Sequence, residues 1–114
     1  MASFYPMILA TAFHAIDLIT GFLGALRVHD IKSSKMRDGL FKKIGFIFCY
    51  LLAYIMDNYG EIVGLQIGVK VLPIIVLYAV MTEIVSIIEN ISRINPDLLP
   101  ETLIKLFHVK DVDD

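Results

Sequence analysis

The stretch FYPMILATAFHAIDLITGFLGAL, residues Phe4 to Leu26, decides the fold class of this chain. It is 23 residues long and contains one formal charge, Asp17, and one imidazole, His14. About 20 predominantly apolar residues are enough for a helix to cross the hydrocarbon core of a bilayer. The stretch therefore predicts a membrane-spanning helix rather than a helix of a water-soluble domain.

Two more apolar stretches follow at Ile44–Met56 and Ile62–Ile88, and hydrophobic residues make up 57% of the 114-residue chain. An ordinary globular domain is roughly 45–50% apolar. This excess predicts an all-α membrane protein with three transmembrane helices. We expect one membrane domain with spans at about 4–26, 41–58 and 62–90, and a short amphipathic helix that begins near Pro100 in a C-terminal segment, 93–114.

The segment between the first two spans predicts the orientation. Residues 27–43 carry six lysines or arginines and two aspartates. Short loops rich in lysine and arginine stay in the cytoplasm, so the N-terminus is expected outside and this basic loop and the C-terminal segment inside. Because the apolar part of the second span is short, Lys42 and Lys43 are expected to extend to the interface and complete it. The predicted topology determinants are Arg27, Lys32, Lys35, Arg37, Lys42 and Lys43.

The third apolar stretch allows two interpretations. A single helix from Gly60 to Ser92 would be about 50 Å long, whereas the hydrocarbon core is about 30 Å thick. Such a helix has to tilt, kink at Pro73 or extend beyond the core. Alternatively, Glu61–Lys70 lies at the outer interface and the crossing begins at Val71.

Gly60, Gly64 and Gly68 recur at every fourth position. In a helix they would form one smooth stripe, and small residues let helix backbones approach closely in a membrane. The stripe is expected either to pack against another span of the same chain or to form a subunit contact in a homo-oligomer. Gly21 and Ala25 form a shorter version of this pattern in the first span.

Polar residues within the apolar stretches form a second candidate site. A charge near the bilayer centre costs at least ~2.5–3.5 kcal/mol, so such residues need partners or water. They are expected either to line an aqueous lumen or to form hydrogen bonds between helices of one bundle. A metal site made by His14, Asp17 and Glu83 is a weaker alternative. Helical spacing aligns the candidates in two groups, which are His14 and Asp17 in the first span and Glu83, Ser86 and Asn90 in the third.

No motif points to an enzyme, a cofactor or a nucleic acid. The sequence has no phosphate-binding glycine loop before a helix, and no nucleophile beside a base at an informative spacing. The basic loop lies between two predicted spans, so its charges are interpreted as topology signals that also attract anionic lipid headgroups. We predict no enzymatic activity, no cofactor and no nucleic-acid partner.

Three groups of residues, in their order along the chain, carry a family resemblance. They are Asp17 with Gly21 and Ala25 before the basic turn, Ser33-Ser34 with Gly39-Leu40, Lys42-Lys43 and Asp57 around the second span, and EIVSIIEN, residues 83–90, followed by Leu99-Pro100. The resemblance that they carry covers roughly Asp17 to Leu106, nearly the whole chain. In these groups the chain resembles the toxin secretion and phage lysis holin family.

The resemblance implies a holin, a protein that collects in the bacterial cytoplasmic membrane and associates into homo-oligomers. At a critical density a holin opens lesions that pass an endolysin or a toxin, and no specific binding site for that cargo is predicted. Under this interpretation Asp17 and Glu83 are hidden in the closed state and reach water in the open state. The alternatives are a dedicated toxin-export pore, a non-conducting scaffold or antiholin-like regulator, and a selective ion channel, for which no filter motif is evident.

Overall fold

The computed structural model describes residues 3–106, and within that range the chain forms four α-helices and no strand. The helices are α1, Tyr5–Arg27; α2, Ser33–Tyr59; α3, Leu72–Ile94; and α4, Glu101–Leu106. A 3-10 turn, Gly60–Val63, continues α2. Three of the helices are long and apolar enough to cross a membrane: α1, α3 and α2 with its 3-10 extension. The prediction of an all-α protein with three membrane-spanning helices is confirmed.

The first helix has the expected signals at both ends. Pro6 lies in its first turn, where a missing N–H costs nothing because that group has no partner inside a helix. Arg27 lies in its last turn, where a cation interacts favourably with the helix dipole. The connection to α2 is residues 28–32, in which His29 adopts a left-handed conformation with φ of 56°.

The predicted basic loop, residues 27–43, is mostly helical, which corrects the sequence-based boundary. Helix α2 begins at Ser33, so residues 33–43 form its first turns. These residues include no proline, and lysine, arginine, methionine and leucine are good helix formers. With 27 residues, α2 is about 40 Å long, longer than a ~30 Å hydrocarbon core. Its basic first turns are therefore expected in the interface.

The third span begins later than residue 62. After the 3-10 turn the chain is non-helical up to Val71, and α3 begins at Leu72 with Pro73 in its first turn. Proline is preorganised for that position, so the interpretation of one long helix kinked at Pro73 is wrong. The other interpretation, a crossing that begins near Val71, is the one the fold adopts.

Asp57 fixes the start of α3 from the end of α2. Its carboxylate accepts hydrogen bonds from the backbone N–H groups of Val71 at 2.8 Å and Leu72 at 2.7 Å. The first N–H groups of a helix lack partners in the helix itself, and a negative charge there is favoured by the helix dipole. Lys70 Nζ also donates to the Asp57 carbonyl oxygen at 2.8 Å. These contacts tie together both ends of the connection between α2 and α3, which the predicted orientation places outside.

The predicted helical stripe of Gly60, Gly64 and Gly68 does not form. Gly60 opens the 3-10 turn, and Gly64 and Gly68 have φ values of 83° and 85°, which belong to the left-handed region. Glycine is the default residue there because it has no β-carbon to clash. These glycines turn the chain between two spans, so a close helix contact along a stripe is excluded as their role.

Helices α1 and α3 form the most extensive contact in the bundle, and they run parallel because α2 returns the chain between them. Small residues let them approach closely: a β-carbon on Gly21 would lie 3.4 Å from the Asn90 amide nitrogen. Gly21 therefore packs within the chain. The α1 positions at this contact alternate in steps of four and three residues, which is typical of left-handed helix pairs. They are Ala10, His14, Asp17, Gly21 and Gly24.

The outer surface of the bundle is apolar. Ile19, Phe48 and Leu77 are 60%, 67% and 63% exposed, and all three helices carry further exposed aliphatic and aromatic residues. A soluble monomer rarely exposes so large a continuous apolar surface. Cys49 also lies on this surface. These side chains are placed to contact lipid.

Replacing Gly24 by leucine is expected to force α1 and α3 apart. A β-carbon at this position would lie 3.2 Å from both the Asn90 carbonyl oxygen and Arg93 Cβ, and backbone atoms cannot move aside cheaply. Overpacking of this kind costs typically about 1–3 kcal/mol. The measurement is the thermal unfolding midpoint of the purified protein in detergent.

Gly45→Leu is the matched control, because a β-carbon at Gly45 has nothing within 4 Å. This variant should unfold at or slightly above the wild-type midpoint, because leucine is a better helix former than glycine. Equal midpoints for the Gly24 and Gly45 variants would contradict the proposed packing of α1 on α3.

Candidate functional site

Six polar side chains from the three spanning helices meet inside the bundle, and we call them the polar network. Each helix contributes two of them, spaced three or seven residues apart and therefore on one helix face. All are buried except the aspartate, which is half-buried. The polar network consists of His14 and Asp17 from α1, Lys43 and Tyr50 from α2, and Glu83 and Asn90 from α3.

The ammonium group of Lys43 lies between the two carboxylates of the network. Its Nζ is 2.6 Å from Asp17 Oδ2 and 3.2 Å from Glu83 Oε2, and only 8% of the lysine side chain is exposed. A buried charge without a partner is very costly, because it loses its hydration and gains nothing in return. Lys43 therefore holds α2 against both α1 and α3.

This inward position corrects the prediction that Lys43 extends to the membrane interface. The carboxylates of Asp17 and Glu83 attract the ammonium group into the bundle, so Lys43 is a member of the network. The other predicted topology determinants are exposed, and the orientation that they predict stays a prediction. These exposed residues are Arg27, Lys32, Lys35, Arg37 and Lys42.

His14 on α1 bonds to both other spanning helices, one through each of its ring nitrogens. Nδ1 is 3.0 Å from Glu83 Oε2, and Nε2 is 2.7 Å from the Tyr50 hydroxyl oxygen. In a neutral imidazole with these partners, Nδ1–H donates to the carboxylate and Nε2 accepts from the hydroxyl. The ring also stacks on Phe46 and Tyr50, with centroid distances of 5.4 Å and 5.8 Å. The His14 side chain thus links α1 to both α2 and α3.

Asn90 joins the network at its other end. Its amide nitrogen Nδ2 lies 2.8 Å from Asp17 Oδ1, 3.2 Å from the Asp17 carbonyl oxygen and 3.1 Å from Thr20 Oγ1. Two N–H bonds are shared among these three acceptors. Within residues 3–106 no fully buried side-chain nitrogen or oxygen lacks a hydrogen-bond partner. A fully paired polar network of this kind holds helices in one relative position.

The structure brings together four of the five predicted polar candidates and leaves one apart. His14, Asp17, Glu83 and Asn90 belong to the network, where they bond to one another and to α2 inside a single chain. Ser86 instead lines an open cleft beside the network, as does Ala25. Of the two sequence interpretations, hydrogen bonding within one bundle describes this state, and a lumen remains a prediction for an assembly.

Sequence reasoning missed Tyr50 and misplaced Lys43. A usable signal existed, because Lys43 and Tyr50 are seven residues apart and so lie on one face of α2, as do Glu83 and Asn90 on α3. Polar residues at matching intervals in separate spans indicate a shared interior level. Counting apolar residues to measure span length hides that signal.

The arrangement also bears on the weaker alternative of a metal site. His14, Asp17 and Glu83 do approach one another, but the Lys43 ammonium occupies the space between the two carboxylates. Across the described range, 3–106, no three histidine, cysteine or acidic side chains are grouped as metal ligands.

These features define a small membrane protein with three spanning helices that are joined by buried charges. A model of the bacteriophage holin family matches residues 3–111 of the chain. This chain belongs to that family, as the resemblance described above predicts. No curated protein and no solved structure matches the chain at a significant level.

Lys43→Met is expected to destabilise the bundle strongly. The substitution keeps an unbranched side chain that ends at the ε position but leaves the carboxylates of Asp17 and Glu83 without their cation. Removing one partner of a buried ion pair typically costs about 3–5 kcal/mol. Unfolding of the purified protein in detergent, followed by circular dichroism, measures the loss.

Lys42→Met is the control, because Lys42 is the neighbouring residue and is exposed. It should unfold like the wild type. Adding Asp17→Asn and Glu83→Gln to Lys43→Met should recover much of the lost stability, since no charge is then buried alone. If Lys43→Met and Lys42→Met unfold alike, the charge network does not hold α2 in place.

Proposed function

We propose that this chain is a holin that assembles in the bacterial cytoplasmic membrane and opens lesions for an endolysin or a secreted toxin. Family membership supports the class. The observation that carries the mechanism is the placement of three charged groups inside a single chain, with side-chain exposures of 4% for Glu83, 8% for Lys43 and 15% for Asp17. The monomer thereby hides the groups that a water-filled lesion needs.

The closed chain is suited to collect in a bilayer without leaking. Its buried charges and polar side chains are paired internally, and its outer surface is apolar. A chain that exposed Asp17 or Glu83 to lipid would incur the cost of an unpaired charge in hydrocarbon. Copies can therefore accumulate as intact bundles before any lesion forms.

Opening requires a polar surface that faces water along the spans. Ile19, Phe48 and Leu77 represent the apolar exterior, which cannot serve this purpose. The polar network, with the polar cleft beside it, can supply such a surface within the described spans. We infer that α2 moves away from the α1–α3 pair when copies assemble, because α2 makes less extensive contact with either helix than they make with each other. Asp17, Lys43 and Glu83 would then lose their contacts with one another and become hydrated.

Glu83→Gln tests this mechanism and is expected to cause earlier lysis. The amide keeps the shape of the side chain but removes the charge that faces Lys43 at 3.2 Å and His14 at 3.0 Å. A hydrogen bond to a charged group is worth about 1.5–3 kcal/mol, and the separation of α2 becomes easier by an amount of that order. The measurement is the time of lysis after induction in a bacterium that also makes an endolysin, at matched protein levels. Asp17→Asn should act in the same direction.

Glu61→Gln is the matched control, because Glu61 is an exposed acid in the outer connection. It should lyse at the wild-type time. Unchanged timing in both network variants would remove these carboxylates from the opening step. Expression of the wild-type chain with and without endolysin, followed by viability and dye leakage, tests the class itself, since a non-conducting scaffold or antiholin-like regulator releases neither dye nor endolysin.

A further inference from the structure

An open cleft of about 320 Å³ lies at the basic end of the bundle, between α1, the first turns of α2 and the last turns of α3. Small residues from each helix make room for it: Gly21, Ala25, Gly39 and Ser86. A β-carbon added to Gly39 would meet nothing within 4 Å, so the cleft is open space on the α2 side. Its volume is at the lower end of the range of small-molecule sites.

The cleft carries more positive charge than its own residues neutralise. Lys35 and Arg93 line it, and neither forms an ion pair with any residue in the described range. Lys43 lies at its inner end but is already paired within the polar network. Glu89 also lines the cleft, and its charge offsets one of the two free cations. The residues that line the cleft thus include four cations and three acids, an excess of one positive charge, while Glu83, the second acid at Lys43, is buried behind them and does not line the cleft.

The exposed ion pair between Lys32 and Asp30 does not change this balance of charges in the cleft. Lys32 and Asp30 both line the cleft, and their charged atoms are 4.0 Å apart. Each of these side chains is 64% exposed, so the pair is solvated and neutral as a unit. Asp17 likewise faces the cleft but is committed to Lys43 and Asn90.

We propose that this cleft binds the phosphate of an anionic phospholipid headgroup. A phosphodiester carries one negative charge, which together with Glu89 balances Lys35 and Arg93. Arginine suits this role because its guanidinium group can donate two parallel hydrogen bonds to phosphate oxygens. Basic pockets between membrane helices on the cytoplasmic side bind anionic headgroups, and the predicted orientation places the cleft at the inner leaflet.

Such a lipid would contact all three helices beside the polar network. Its headgroup would link Lys35 on α2 to Arg93 on α3, next to the Lys43–Asp17 pair. A ligand that binds only the assembled bundle stabilises it by an amount that grows with the logarithm of its concentration above the dissociation constant. If the proposed holin function is correct, the bound lipid opposes the separation of α2. Headgroup binding itself does not depend on that function.

The test uses the purified full-length chain in detergent and its thermal unfolding midpoint. Dioctanoylphosphatidylglycerol should raise the midpoint progressively once its concentration exceeds the dissociation constant, and dioctanoylphosphatidylcholine, whose headgroup has no net charge, should raise it much less. Inorganic phosphate at the same concentration shows whether the cleft binds a free phosphate as well as the phosphate of a lipid headgroup. Equal stabilisation by inorganic phosphate, or by the two lipids, would overturn the assignment to an anionic lipid.

Two variants and two matched controls locate the site. Arg93→Gln removes the charge but keeps the carbons that pack on Gly24, and Gly39→Leu fills the cleft without changing any charge. Each should raise the lipid concentration needed for a given rise in the midpoint about tenfold, the equivalent of 1.4 kcal/mol in binding. The controls should bind like the wild type: Arg37→Gln, an exposed cation of α2 outside the cleft, and Gly45→Leu, a glycine of α2 with open space around it.

Wild-type binding by both cleft variants would show that the lipid binds elsewhere and would overturn the proposal. Because binding is measured on purified protein, this result is independent of lysis timing. Loss of lysis with intact lipid binding would instead count against the proposed holin function alone.

Discussion

An ammonium group buried between two carboxylates is the interaction on which the arrangement of the three spans depends. Lys43 reaches Asp17 on one neighbouring helix and Glu83 on the other. In water such contacts contribute little, since exposed ion pairs are screened and hydrated. Inside the bundle the alternative is a buried charge without a partner, so the pairing requirement is strict. Helix α2 must lie where both acids are reachable, and few arrangements satisfy that condition.

The bundle therefore combines two kinds of helix contact. α1 and α3 meet through small residues, as at Gly21 and Gly24, where close backbone approach provides van der Waals contact over a long surface. α2 adds Tyr50 and Ala53 to the apolar core, but it is also held by hydrogen bonds and charges. Lipid tails are as apolar as the side chains, so apolar contact alone gives little drive for association in a membrane. A contact made by charges is also one that water can replace.

The sequence alone predicts the fold class and four of the six residues of the polar network. It does not predict the turn between α2 and α3 or the acids that bind Lys43. Length and apolarity identify Phe4–Leu26 as a span because one bilayer thickness sets a fixed requirement. The glycines at 60, 64 and 68 misled because their spacing suits a helix, whereas proline at 73 and the acceptor at Asp57 place the helix start beyond them. The position of Lys43 was mispredicted because a lysine near the end of a span can either extend to the interface or turn inward to pair with an acid. The choice depends on acids in other helices, which local sequence does not reveal.

The order in which the network residues are synthesised has a consequence for membrane insertion. Asp17 and Lys43 are 26 positions apart and belong to the first two helices, whereas Asn90 is 73 positions from Asp17. A nascent hairpin of α1 and α2 can thus neutralise its own aspartate before α3 leaves the ribosome. Glu83 can then pair with a lysine that is already in place, which partly offsets the cost of bringing its acid into the bilayer.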